Sequence, residues 1–295
     1  MNNVRSTVEV EVREGMTYEL PGEDVFPEGV ALLEREGVFF VSGARSGAIY
    51  RCELDSGDVV ELVAGDDREP LTTIGLDIDE GGRLWVAGGA SGKLFAFEVG
   101  SGELVLTLST PPADETFIND LVACPSGDVY ATDSLRPLLF RVRSGSVEPW
   151  LDMSGTALES REPGSDMNGI AVTADEEFLI VVKTGTGQLF RVETGTGRVA
   201  EIDLGGQCLT GGDGLVLEDR ELYVVRNSAR QVAVVELDAD LLSGTVVASL
   251  SDPSFEFPTT AAKVGNELLV VNSQFDVMAD GKPRLPFRVS RVPLP

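Results

Sequence analysis

The stretch Gly211-Gly212-Asp213-Gly214-Leu215-Val216-Leu217, with the runs Glu221–Val225 and Gln231–Val235 behind it, decides how the rest of the chain is read. Its opening is a polar residue, then a small one, then an apolar run. Variants of that opening recur at Glu28-Gly29-Val30, Ile74-Gly75-Leu76, Asn119-Asp120-Leu121, Asn168-Gly169-Ile170 and Thr259-Thr260-Ala261. Successive instances are 46, 45, 49, 45 and 46 residues apart. A steady period near 45 with strand-like content in each unit is the mark of propeller blades.

Each unit holds short apolar runs divided by Gly, Ser and Asp turns. The first is representative: Gly29–Leu33, Val38–Val41, Ala48–Leu54 and Val59–Val63. Pro149 falls in the fourth run of its unit, where an edge strand tolerates it. The sixth unit is one run short, while the alternating segment Thr7–Val12 has no unit of its own. The expectation is an all-β, six-bladed β-propeller spanning 1–295 as a single domain, its ring closed by the N-terminal strand 7–12 completing the last blade. Trp85 and Trp150 then read as packing between blades.

Bulk composition narrows the function classes. At 42% apolar residues the chain has ample material for a core. No run approaches the roughly 18 apolar residues that span a bilayer. The first residues lack the pattern of a secretory leader, so a cytoplasmic location is the default expectation. A net charge of −26 argues against nucleic acid and anionic membrane as partners. Cys52, Cys124 and Cys208 are odd in number and widely spaced, as free thiols are. There is no histidine. Ser-His-Asp and Cys-His catalysis, and histidine-held zinc, copper or haem, are therefore excluded. Acid–base chemistry falls to Asp, Glu, Lys, Tyr or water.

In a propeller the first strand of each unit lies nearest the central channel, so the six openings converge at one mouth. Four of them present a carboxylate or amide: Glu28, Asn119, Asn168 and Asp213. Together they form an all-oxygen set of charge −2, suited to a hard divalent cation and to calcium above all. Asn-Gly and Asp-Gly are also ordinary turn formers, and the competing reading is structure alone.

The segments Pro27-Glu28-Gly29, Phe117-Ile118-Asn119-Asp120, Met167–Val172 and Gly212-Asp213-Gly214-Leu215 resemble those of the SMP-30/gluconolactonase/LRE-like propellers over nearly the whole chain. The resemblance implies that Glu28, Asn119, Asn168 and Asp213 hold calcium, with Asp213 as general base or nucleophile. Sugar-lactone members often carry an arginine where this chain has Phe117, and Gly29 is followed by Val30 rather than by proline. A small, fairly apolar lactone or ester is the substrate expected. The ion would polarise the substrate carbonyl. Two other readings stay open: a binding platform with a structural ion, and a cyclase or isomerase using the same pocket. Oligomeric state is not readable from the sequence.

Around the centre, Asp120 either orients the donors or makes a turn. The residues closing each second strand, Ser42, Asp133, Lys183, Arg226 and Asn272, are candidates for the pocket wall. Lys183 and Arg226 would meet a substrate carboxylate or oxyanion, or else form salt bridges. Phe26, Phe117, Phe257 and Phe275 either line an apolar pocket or pack in the core.

Overall fold

The computed structural model describes residues 8–11, 16–65, 71–156, 158–159 and 167–294. Six antiparallel sheets follow one another along the chain, and we number them as blades. Blade 1 comprises Pro27–Leu33, Val38–Gly43, Ile49–Glu53 and Val59–Val63; blade 2, Leu76–Ile78, Arg83–Ala87, Lys93–Glu98 and Leu104–Ser109. Blade 3 comprises Ile118–Ala123, Val129–Asp133, Leu138–Arg143 and Ser146–Asp152; blade 4, Met167–Val172, Phe178–Lys183, Leu189–Glu193 and Val199–Ile202. Blade 5 comprises Gly212–Glu218, Glu221–Arg226, Gln231–Leu237 and Gly244–Ser251. Blade 6 takes Pro258–Val264, Glu267–Asn272 and Phe287–Pro293 from the end of the chain and Met16–Leu20 from its start. The molecule is the expected six-bladed propeller. Among the described residues no helix is long and apolar enough to cross a membrane.

The closure corrects the expectation for residues 7–12. Met16–Leu20, not that segment, completes blade 6, pairing antiparallel from Met16 opposite Arg291 to Leu20 opposite Phe287. Val8–Glu11 instead runs parallel to the outer strand of blade 5, Val8 opposite Ala248. Thr7 and Val12 lie outside the described residues. Side-chain size gives the reason. The seam between blades 6 and 1 needs bulky groups, and Tyr18 and Leu20 are buried there. Tyr18 stacks edge-on against Phe39 at 4.8 Å and donates its hydroxyl to the Leu54 carbonyl at 2.8 Å.

Apolar packing is divided among six layers, each between neighbouring blades. The second strand of blade 1 shows how: Phe39 and Val41 face blade 6, while Val38 and Phe40 face blade 2. A strand buried on both faces reads as an unbroken apolar run, because successive side chains point to opposite sides. All four are 0% exposed. Truncating Phe39 to alanine would cost about 3–5 kcal/mol.

The innermost strands carry the feature that builds the site. In five blades their pairing with the second strand slips by one residue at equivalent places, between Pro27 and Val30, Ile118 and Leu121, Met167 and Ile170, Gly212 and Leu215, and Pro258 and Ala261. In blade 2, Ala87 likewise exchanges hydrogen bonds with two consecutive residues, Ile74 and Gly75, both at 2.9 Å. The recurrent sequence opening is thus a repeated β-bulge, a device that re-aims a side chain. The small residue within it has a second cause. A Cβ on Gly29 would overlap the backbone of Ile74, and one on Gly169 that of Asp213. At these glycines the inner strands of successive blades approach too closely for a side chain.

Candidate metal centre

Hydrogen bonds from neighbouring strands brace the segments that carry the bulges. Ser42, at the end of the second strand of blade 1, accepts the Gly29 N–H at 2.7 Å and donates to the Ile74 carbonyl at 2.6 Å. Asp133 accepts the Phe117 N–H at 3.0 Å, and Asn272 the Glu256 N–H at 2.9 Å. The residues that close the second strands therefore brace the segments carrying the bulges. Thr259, the blade 6 equivalent of the donors, gives its hydroxyl to the Glu28 carbonyl at 2.9 Å and ties the last blade to the first.

Pairwise effects connect the four sequence-chosen residues. Asn119 and Asn168 line one cavity. Asn168 donates a side-chain hydrogen bond to Asp213, and Asp213 in turn raises the pKa of Glu28 through space. Glu28 and Asp213 are each 5% exposed. The Glu28 carboxyl is held well above the usual carboxylate range, first by burial and then by the charges of Asp213 and Asp120. Burial likewise drives Asp213 upward, opposed by hydrogen bonds from Asn227 and Asn168.

Asp120 belongs to the same acidic group. Its Oδ1 accepts the Leu121 N–H at 2.9 Å and its Oδ2 the Ile170 N–H of the next blade at 3.3 Å. Burial pushes it up to about 7. Asp77, behind it in blade 2, accepts the Ala123 N–H of blade 3 at 2.8 Å and is raised by burial to about 6.

This arrangement fits a cation. Glu28 Oε2 is buried without a hydrogen-bond partner among the described residues. No lysine or arginine pairs with Glu28, Asp213 or Asp120 among the described hydrogen bonds and ion pairs. Buried carboxylates so placed must be protonated or neutralised by something from outside. Asn119 gives its amide nitrogen to Ser134 Oγ at 2.7 Å, which turns its amide oxygen the other way. Among the described residues no three Asp, Glu, His or Cys side chains come together as a metal site, so the amide oxygens of Asn119 and Asn168 would be essential to the shell.

The remaining candidates separate. Phe117 lines the cavity of about 250 Å³ together with Asn119, Ser134, Leu135, Asn168 and Thr184. Lys183 is buried and donates to the Glu159 carbonyl at 3.0 Å. Arg226 lies elsewhere, in a groove of about 520 Å³ with Cys208 and Gln231, its Nε donating to the Thr210 carbonyl at 3.2 Å. Asn272 is 1% exposed, with its amide nitrogen on Ser290 Oγ at 2.8 Å, so both ends of its amide serve blade 6. Phe26 is a core residue stacked on Phe287 at 5.0 Å. Sequence reasoning missed Asn227, Ser134, Leu135 and Thr184. Ser134, Thr184 and Asn227 each sit one residue beyond a second strand, as Ser273 does in blade 6, so a polar residue recurring at that place was the signal that could have found them; Leu135, one residue further on, has no such repeat.

No protein-family model matches the sequence, and no curated protein matches it. The fold does have solved counterparts. A calcium-binding protein, regucalcin, from Agrobacterium tumefaciens superposes with a TM-score of 0.70 at 18% identity, covering 98% of this chain and 97% of that one. A gluconolactonase from Xanthomonas campestris gives 0.65 at 16% identity over 91% and 86%. A catalytically inactive histidine-to-alanine variant of virginiamycin B lyase from Staphylococcus aureus, solved with quinupristin, gives 0.63 at 12% identity over 95% and 99%. Regucalcin and gluconolactonase are propellers of the SMP-30/gluconolactonase/LRE-like kind that the motifs resemble. At these identities the likeness is one of architecture, and propellers of this architecture carry more than one chemistry.

Proposed function

We propose that the chain is a cation-dependent hydrolase of a lactone or ester, with Glu28, Asn119, Asn168 and Asp213 holding calcium at the channel mouth. The observation that carries this reading is the burial of Glu28 and Asp213 together, with Glu28 Oε2 unpartnered among the described residues. A scaffold gains nothing from such a pair, and a cation reverses its cost. When bound, calcium would supply Lewis acidity toward the substrate carbonyl. The rest falls to the protein. Asp213, oriented by Asn227 at 3.3 Å and by Asn168, is the carboxylate placed to take the proton of an attacking water or to attack directly. Ser134 fixes the Asn119 amide, and Phe117 keeps part of the cavity wall apolar.

The names of two structural neighbours, calcium-binding regucalcin and gluconolactonase, support the reading. The lyase neighbour, inactive once a histidine is replaced, supports it less, because this chain has no histidine to play that part. The substrate proposed is a small molecule, and the charge of −26 disfavours nucleic acid.

Calorimetric titration of calcium into chelator-treated protein, beside a panel of aromatic and aliphatic lactones, tests the proposal. Calcium binding lost in Asp213→Ala and Asn168→Ala, with turnover that needs the ion, is the expected result. Binding and thermal stabilisation without turnover of any lactone or ester would instead identify a binding platform or another reaction.

A further inference from the structure

The cavity that Asn119 and Asn168 line has a composition that narrows what it can accept. Among the described residues none that lines it is charged. Phe117 and Leu135 supply its apolar wall, and Leu135 is 53% exposed. That leucine does not ride on a loose loop. The N–H groups of Leu135, Phe117 and Arg136 all donate to Asp133 Oδ1, at 2.9, 3.0 and 3.1 Å. Asp133 Oδ2 takes the Arg136 Nε and the Thr116 hydroxyl, each at 2.6 Å, and the Asp133 side chain is wholly buried. One carboxylate thus fixes the backbone beneath both apolar side chains. An apolar wall fixed in place beside a cavity suits a hydrocarbon group of a ligand.

Polar partners in the cavity are few. The Ser134 hydroxyl is committed at both ends, accepting from Asn119 and donating to the Met167 carbonyl at 2.7 Å. Thr184 Oγ1 is buried in the wall without a hydrogen-bond partner among the described residues. A polyhydroxylated ring would press several hydroxyls against hydrocarbon and find, among the described residues, one wall hydroxyl without a partner to answer them.

We propose that Phe117, Leu135 and Thr184 form a specificity subsite for a lactone or ester bearing a hydrocarbon substituent, alkyl or aryl. The substituent lies on Phe117 and Leu135, and the Thr184 hydroxyl bonds a polar atom of the same ligand. Asp133 is the positioning residue that sets the wall. The reaction rests on the hydrolase reading; the subsite is a claim about binding and stands apart from it.

Two measurements separate these claims. In the first, hydrolytically inert γ-lactams with and without a hexyl substituent are titrated into calcium-loaded protein and followed by calorimetry. The second compares kcat/KM for the matching lactones and for a polyhydroxylated aldonolactone. The hexyl lactam should bind about tenfold or more tighter than the bare ring. The combined variant Phe117→Gln, Leu135→Asn should bring that ratio near one, and Leu135→Met should keep it. Thr184→Val should weaken the hexyl lactam several-fold, and Thr184→Ser should restore it. Equal binding of both lactams, or preference for the aldonolactone, overturns the subsite. Hexyl preference in binding with no lactone turnover keeps the subsite and removes the hydrolase reading.

Discussion

The amide of Asn227 lies 3.3 Å from Asp213 Oδ2 and donates to it from beyond the second strand of blade 5. It is one of two side-chain donors that favour the ionised form of a carboxylate pushed the other way by burial. Replacing Asn227 with leucine removes a donor and leaves the burial. Calcium affinity in the variant should fall by about tenfold, the value of a lost charge-assisted hydrogen bond. Titration calorimetry beside Asn227→Asp, which keeps the shape, checks it.

Glu28 and Asp213 should respond differently to neutral replacements. Glu28→Gln removes an uncompensated buried carboxylate, so the chelator-treated variant should melt higher than the parent at pH 8 while binding calcium more weakly. Asp213→Asn keeps an oxygen donor and removes the reactive group, so activity should fall further than calcium affinity does. Equal losses of activity and affinity in Asp213→Asn would argue against a reactive role.

Stability of the metal-free protein should decline as pH rises through neutrality. Burial raises Asp77 and Asp120 from 3.8 to about 6 and about 7. The unfolded chain gives up these protons near pH 4, and the folded protein keeps them until pH 6 to 7. Across that window the folded state binds more protons, so stability falls with increasing pH. Asp79, whose pKa lies below 3.8, contributes nothing to the slope above pH 5. Melting of chelator-treated protein should drop by several degrees from pH 5 to 8, and Asp77→Asn should flatten the curve. An unchanged slope in that variant would show that Asp77 does not carry the effect.

Gly169 tests the close approach of inner strands. Its φ is not in the left-handed region, so alanine meets no backbone penalty there, only the overlap with the Asp213 carbonyl. Gly169→Ala should destabilise the protein by about 3 kcal/mol. Gly195→Ala, with open space around it, should change stability little. Denaturant titration of the pair separates crowding from mere loss of glycine.

Thiol reactivity should single out one cysteine. Cys52 and Cys124 are buried, and burial raises both thiols, Cys124 to about 12. Cys208 is exposed, and its hydrogen bonds with Thr210 lower its pKa. A chromogenic disulfide should titrate one thiol in the native protein and all three of its cysteines after denaturation. Loss of the native signal in Cys208→Ser completes the check.

Much of this molecule was legible because it repeats. A bulge preference, a glycine forced by crowding in four of the blades and an apolar second strand are local demands, and repetition raises each above the noise of a single sequence. Glu28, Asn119, Asn168 and Asp213 stood out because they fill equivalent places in that repeat. The seam that shuts the ring has no copy and stayed hidden. The closing strand was misplaced because alternation alone marks Val8–Glu11, whereas the seam requires the bulk of Tyr18 and Leu20. Arg226 follows the same rule of position as Asp133, yet one faces an outer groove and the other braces the cavity wall. The sequence by itself determined the period, the number of blades and the equivalent places that the four proposed donors fill, since those follow from local pattern. Only the tertiary structure decided which strand shuts the ring and which loop side chains wall the cavity, since those depend on contacts between segments far apart in the chain.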